Sequence, residues 1–258
     1  LFRNKLKGVK TINNVLAFSY SGGPGVPTIA TRDQPAELPG TFKELEALSR
    51  LFNNVRRFTE QDASKFNFIK NAVGSDIIHL GVHGIGDQQS ADNSRLIFRR
   101  DSLNDAELYA YEIYNLKLDA GLVVLSACES GIGRSQMGEG VFSIARGFTC
   151  AGCPSLVMSL WQVRDIFTSD IMISFYENLN EHLTVSSSLR NAKLKFLKES
   201  DSYASHPANW AAFVVNGQDL SFQKGPGIPY WVYLTLGILI AAAIVRYALK
   251  RARANQTG

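Results

Sequence analysis

Two short segments carry side chains that could act together on a carbonyl. Asp76-Ile-Ile-His-Leu-Gly-Val-His-Gly84 ends in His83-Gly84, and Gly121-Leu-Val-Val-Leu-Ser-Ala-Cys128 ends in a thiol. Each holds an apolar run too short for an ordinary helix and suited to a strand buried on both faces of a parallel sheet. Ligands of open parallel sheets sit at the carboxyl ends of strands. If the two strands are neighbours, an imidazole and a thiol share that edge. A free thiol is mostly protonated at neutral pH, the thiolate is the nucleophile, and a nearby imidazole can take the proton. Gly84 has no Cβ, so its N–H can approach a substrate closely, and with the N–H of Cys128 it would form an oxyanion hole. The competing reading makes Cys128 a small buried core residue, the common fate of a lone thiol.

Other chemistry-bearing residues fit less well. His79 lies four residues before His83, which on a helix would pair them for a metal. On a strand that spacing separates them by about 13 Å, so His79 reads as a packed core histidine and no metal or cofactor is expected. Gly131, Gly133, Gly138 and Gly140 lack the lysine and hydroxyl of a nucleotide loop. Cys150-Ala-Gly-Cys153 has redox spacing, yet redox pairs gain a depressed pKa at the start of a helix. Here the helix (residues 138–148) precedes the pair, so both cysteines are expected to be buried and inert.

The elements that must position the pair alternate. Strands are expected at Val15–Tyr20, Val55–Phe58, Asp76–Gly84, Leu122–Cys128, Ser155–Leu160 and Trp210–Val215, with a small hairpin starting at Leu96–Phe98. Helices are expected after a capping box of Thr41 and Glu44, over Ala63–Ala72, around Tyr109, Ile113 and Leu116, from Gly138, over Thr168–Glu181 and over Val185–Lys198. Strands alternating with helices over this length indicate an α/β fold with a mostly parallel sheet.

The motifs follow one another in an order that resembles the CHAT domain, the caspase-like cysteine peptidase family related to separase and often found with tetratricopeptide repeats. The resemblance rests on Leu38-Pro-Gly40 with Glu44 and Glu46, Asp76-Ile-Ile-His-Leu80, His83-Gly84, Leu122-Val-Val-Leu-Ser-Ala-Cys-Glu-Ser-Gly131, and Gly138-Glu-Gly140. It continues through Ala151-Gly152, Ser159-Leu-Trp-Gln-Val163 with Asp165, Phe175-Tyr176, and His206-Pro207 with Trp210-Ala211 and Phe213. The chain departs from the family's usual small residues at Gly81, Cys150 and Cys153, and from its threonine at Ser130. The resemblance implies a three-layer caspase-like sandwich and peptide-bond hydrolysis by Cys128 and His83, with Gly84 and Cys128 holding the oxyanion. It further implies that Asp165 receives an arginine or lysine side chain before the scissile bond, with Glu129 and Glu139 shaping the cleft. The plainer reading of Asp165 is a helix N-cap.

Charge and hydropathy divide the chain. Residues 1–219 carry 22 basic and 23 acidic side chains, a net charge of −1, while residues 220–258 carry five basic ones and no acid. A near-neutral body offers no electrostatic footprint for nucleic acid, and three cysteines are no disulfide framework. The expected organisation is a lead-in at 1–14, an α/β domain at 15–219, a linker at 220–227, a transmembrane helix at 228–249 and a basic tail at 250–258. Ile228–Val245 is uncharged for 18 residues, with Tyr230, Trp231 and Tyr233 at one end and Arg246, Lys250, Arg251 and Arg253 at the other, which suits a single-pass anchor. The positive-inside rule sets the tail in the cytoplasm and leaves the side of the domain open. The chain starts on leucine and is expected to be part of a longer protein, bacterial, with repeats upstream or in a partner. The expected function is a membrane-anchored cysteine endopeptidase acting on protein substrates. The alternatives are a catalytically silent signalling or scaffold module, and a disulfide oxidoreductase using Cys150 and Cys153.

Overall fold

The computed structural model describes residues 9–22, 38–87, 90–101, 105–126, 128–129 and 139–224. The chain divides into two units, Leu1–Gln223 and Lys224–Gly258. In chain order the elements are β1 (Val9–Ile12), β2 (Val15–Tyr20), α1 (Pro39–Leu51), β3 (Val55–Thr59), α2 (Lys65–Ala72), β4 (Ile77–Ile85), β5 (Arg95–Ile97), β6 (Glu107–Tyr109) and α3 (Ala110–Ile113). They continue with β7 (Leu122–Leu125), β8 (Cys128–Glu129), α4 (Glu139–Cys150), β9 (Ser155–Ser159), α5 (Asp165–Asn180), α6 (Val185–Glu199), β10 (Phe213–Gly217) and β11 (Ser221–Lys224).

The main sheet runs β10-β9-β7-β4-β2-β3, parallel throughout except for antiparallel β10 at one edge. Side chains alternate across it, as the pleat requires. Leu16, Phe18, Ile78, Leu80, Val123, Leu125, Leu156 and Met158 face one apolar cluster with Phe68 of α2, Ile113 of α3 and Phe148 of α4. Val15, Ala17, Ile77, Leu122, Val124 and Val157 face the other, with Leu45 and Leu48 of α1, Phe175 and Tyr176 of α5, and Leu189 of α6. Both faces of a parallel sheet must be covered, and the result is the expected three-layer α/β sandwich.

Local chemistry sets the element ends. Ser64 caps α2 by accepting from Asn67 N–H at 3.2 Å, and Thr184 caps α6 by accepting from Ser187 N–H at 3.3 Å. At the start of α1 the expected capping box does not form. Thr41 sits inside the first turn, where its Oγ1 bonds Leu38 O at 2.8 Å and meets Ser19 Oγ of β2, while Glu44 turns into the core. Asp76, just before β4, accepts from Asn13 and Asn14 N–H at 2.7 and 2.9 Å, and its carbonyl accepts from Gly121 N–H at 2.8 Å. One residue thus aligns the starts of β2, β4 and β7.

Three further features of these elements differ from the expectation. The helix around Tyr109, Ile113 and Leu116 is a single four-residue turn. β1 and β11 form a separate two-stranded sheet from residues assigned to the lead-in and the linker. The β10 strand starts at Phe213, because Trp210 closes a 3-10 turn. Among the described residues no helix is long and apolar enough to cross a membrane; the candidate membrane segment 228–249 lies outside them.

Gly81 in the middle of β4 lets α1 approach the sheet. A Cβ there would meet Thr41 Cβ at 2.7 Å and Phe18 O at 3.2 Å. Alanine, a residue expected at this position from the family resemblance, would overpack a buried contact. Gly81→Ala is expected to destabilise the domain by about 1–3 kcal/mol, read from the midpoint of urea unfolding followed by circular dichroism.

Candidate functional site

β4 carries the site. It is nine residues long and eight of them are buried, and it pairs with β2 and β7 below and with β5 and β8 at its carboxyl end. The pairing with the thiol-bearing segment changes register. Leu80 faces Leu125, but Gly84 faces Cys128, so β4 spends four steps where the neighbouring chain spends three. An unbroken register would have set His83 opposite Cys128. The observed slip sets Cys128 against Gly84 and leaves His83 on the diagonal, with Cα atoms about 6 Å apart by strand spacing. The two N–H groups considered for an oxyanion thus belong to residues paired across one ladder. The side chains of Cys128, Glu129 and Glu139 lie outside what the structure describes, as do Gly131, Gly133 and Gly138. In backbone terms Glu129 pairs with Ile85, and Glu139 opens α4.

His83 is fully buried, and its backbone pairs with Ile97 of β5. His79 is also fully buried and has a role that the sequence did not reveal. Its Nε2 lies 3.0 Å from Glu44 Oε2 of α1 and its Nδ1 lies 2.9 Å from Tyr176 Oη of α5, with no exposure of any of the three side chains. Burial pushes the Tyr176 phenol well above its ordinary range, with the Glu44 charge adding to the effect, so it stays a neutral hydroxyl. Three polar groups from three elements are thereby held between sheet and helices. The only signal in the sequence was polar residues inside otherwise apolar periodicity.

Asp165 is the first residue of α5, after an N-cap at Arg164, so the helix begins three residues earlier than its periodicity indicated. Its Oδ2 accepts from the N–H of Gly40 at the start of α1. Gly40 fits there because it has no side chain; a Cβ would lie 2.6 Å from that oxygen. Oδ1 is buried and has no hydrogen-bond partner among the described residues. Burial raises the carboxyl from 3.8 to about 6, the Gly40 bond opposes this, and the Glu44 charge adds to it. Asp165 follows β9 and therefore lies at the carboxyl edge of the sheet, joining the amino ends of α1 and α5.

Cys150 and Cys153 are not a buried pair. Cys150 is exposed and Cys153 is buried. The segment is the end of α4, where Gly152 N–H bonds Thr149 O at 3.1 Å and Cys153 N–H bonds Phe148 O at 2.9 Å, with φ of +111° at Gly152. This is a Schellman cap with its glycine in the left-handed region. Burial pushes the Cys153 thiol up to about 12, opposite to the shift a redox thiol needs.

Two outcomes follow. His79→Phe removes the partner of a buried carboxylate and is expected to cost about 3–5 kcal/mol, while the pair His79→Phe with Glu44→Leu recovers much of that loss in the same urea titration. Asp165 is protonated more readily in the folded chain than in the unfolded one. Its contribution is therefore complete below pH 4 and is lost as pH rises from about 4 through 6. Asp165→Asn is expected to gain stability relative to the parent across that window. A carboxyl 13C titration of Asp165 with its midpoint near 4 would contradict this.

Comparisons with known proteins bear on the family and the fold. The chain is similar over 137 residues, 53% of its length, to tetratricopeptide repeat protein 28 of mouse at 32% identity and of human at 30%. It spans only 6% and 5% of those proteins. Among solved structures it resembles Saccharomyces cerevisiae separase in its complex with securin, at a TM-score of 0.53 and 16% identity over 86% of this chain and 13% of that one. It also resembles the Arg-specific cysteine proteinase gingipain R, at 0.53 and 11% over 83% of this chain and 49% of that one. At these identities the likeness is one of fold. A model of the CHAT domain matches residues 13–218, and the chain belongs to that family.

Proposed function

We propose that this chain is a cysteine endopeptidase in which Cys128 and His83 act as a dyad. In the acylation step the Cys128 thiol gives its proton to His83, and sulfur bonds to the substrate carbonyl carbon. The C–N bond breaks as His83 returns the proton to the leaving amine. Water, deprotonated by the same imidazole, then hydrolyses the thioester and restores the thiol. The N–H groups of Gly84 and Cys128 hold the oxyanion, each worth about 3 kcal/mol. The observation that carries the reading is the backbone pairing of Gly84 with Cys128 at the carboxyl end of β4, the end that also carries His83. The fold shared with two cysteine proteases supports it.

Asp165 is the proposed receiver of a basic substrate side chain. Its buried Oδ1, without a hydrogen-bond partner among the described residues, supports this, and as the pH rises above about 6 the carboxyl ionises and can pair a guanidinium. Glu129 and Glu139 remain candidates to shape the cleft. The segment 228–249 is proposed as a single-pass anchor with the basic tail on the cytoplasmic side. Likeness to tetratricopeptide repeat proteins supports regulation by repeats upstream or in a partner. A second reading, a module that keeps the fold without turnover, draws on the complete burial of His83. In the peptidase reading the same burial means that the edge opens before substrate enters.

Cleavage of a positional peptide library by the chain, beside Cys128→Ala and Asp165→Ala, separates these readings. The expected outcome is cleavage after arginine or lysine that disappears in Cys128→Ala and loses its basic preference in Asp165→Ala. Cleavage with another preference would keep the dyad and remove Asp165 as selector. Absence of both turnover and covalent labelling of Cys128 by a basic acyloxymethyl ketone, with a repeat partner present, would leave the silent module.

A further inference from the structure

A cleft of about 470 Å3 is lined by residues of α5, of α6 and of the segment Ser200–Ala204 that follows it. This volume is in the range of small-ligand sites. None of the residues placed in the dyad lines it. Phe167 and Phe196 form its apolar wall, with ring centroids 5.7 Å apart and planes at 70°. Asp170, Glu199 and Asp201 also line it, Asp201 with its Oδ1 accepting from Ala204 N–H at 2.8 Å. Lys195 also lines the cleft, but its ammonium is engaged by Glu177 at 3.2 Å. Burial pushes the Asp170 carboxyl up, the Lys43 charge pulls it down, and the Glu199 charge adds to the rise.

Two further observations specify the occupant. Ser174 lines the cleft from α5; it is 96% buried (4% exposed), and its Oγ has no hydrogen-bond partner among the described residues. A buried hydroxyl without a partner costs free energy, and a donor entering the cleft would remove that cost. Beside the cleft, Arg164 holds its guanidinium over the Phe167 ring at 5.5 Å and the Tyr203 ring at 5.8 Å, and donates to Tyr203 Oη at 3.1 Å. The same aromatic wall thus already carries one guanidinium. A planar cation that stacks on an aromatic face and offers several donors at once is the group these surroundings fit, and a lysine ammonium fits them less well.

We propose that the cleft between α5 and α6 binds an arginine side chain of a partner or substrate polypeptide, stacked on Phe167 and Phe196, faced by Asp170, Glu199 and Asp201, and donating to Ser174 Oγ. This site is independent of the catalytic reading. A silent module would use it to hold its partner, and a peptidase would use it to hold a substrate away from the scissile bond.

The test is a nuclear magnetic resonance titration of the full chain with N-acetyl-arginine methylamide, with the citrulline and lysine analogues as controls. Saturable shifts are expected in residues of α5 and α6 and in the Phe167 ring, weaker for lysine and absent for citrulline, which has nearly the same shape but no charge. Asp170→Asn and Glu199→Gln, both at exposed positions, are expected to weaken binding about fivefold each, and Ser174→Ala about threefold. The α5–α6 shifts are expected to persist in Asp165→Asn. Equal binding of citrulline would overturn the proposal, as would a titration insensitive to all three cleft substitutions. Shifts that disappear with Asp165→Asn alone would place the probe at the sheet edge, overturning the cleft and leaving the Asp165 pocket standing.

Discussion

The contact between Glu44 and His79 constrains most of what surrounds it. A carboxylate with no solvent exposure is costly unless a partner is held close to it, and among the described residues His79 of β4 lies 3.0 Å from Glu44 Oε2. This contact helps to set α1 on the sheet, and Tyr176 ties α5 to the same imidazole. Once α1 is seated, Thr41 must lie against position 81 and Gly40 beneath Asp165. The glycines at these positions are the steric consequence of a polar contact one helical turn away.

Burial is the main reason that Asp165 holds its proton so late, and the charge of Glu44 adds to it. Its carboxylate is half of a second polar contact between α1 and α5, in an environment where Glu44 already contributes negative charge. A single Gly40 N–H does not offset the desolvation. A site of this kind is poised to gain from a cation, because the cation would supply what the fold leaves out.

Much of this was legible in the residues. The mostly apolar runs in β2, β4 and β7 located these strands, because burial on both faces leaves little else for such runs to do. The order of the motifs also indicated the sheet edge that carries them. What was not legible depended on contacts distant in sequence. Thr41 and Glu44 have capping-box spacing, yet tertiary partners in β2 and β4 claim both side chains. Cys150 and Cys153 have redox spacing, yet a glycine with positive φ between them makes a helix cap that separates an exposed thiol from a buried one. The pairing of β1 with β11 joins segments more than 200 residues apart, and no local pattern announces it.

The register slip between β4 and β8 shows most clearly what local patterns omit. Period-two reasoning assumes a constant offset between paired strands, and that offset would have put the imidazole and the thiol-bearing residue directly opposite each other. Direct opposition in a ladder keeps two residues side by side along the hydrogen-bonding direction, but it gives the flanking N–H groups no special place. Moving the pairing by one residue puts a glycine opposite Cys128 instead, so no Cβ obstructs the backbone beside it. A slip costs ladder hydrogen bonds, and a strand as deeply buried as β4 tolerates one only where something else fixes the chain on either side. Below it the β4–β7 ladder runs unbroken from Ile77 to Leu80, and beyond it the β5 hairpin holds His83 to Ile85. The two ladders clamp the slip between them, which makes the position of Gly84 against Cys128 a property of the sheet rather than of a loop.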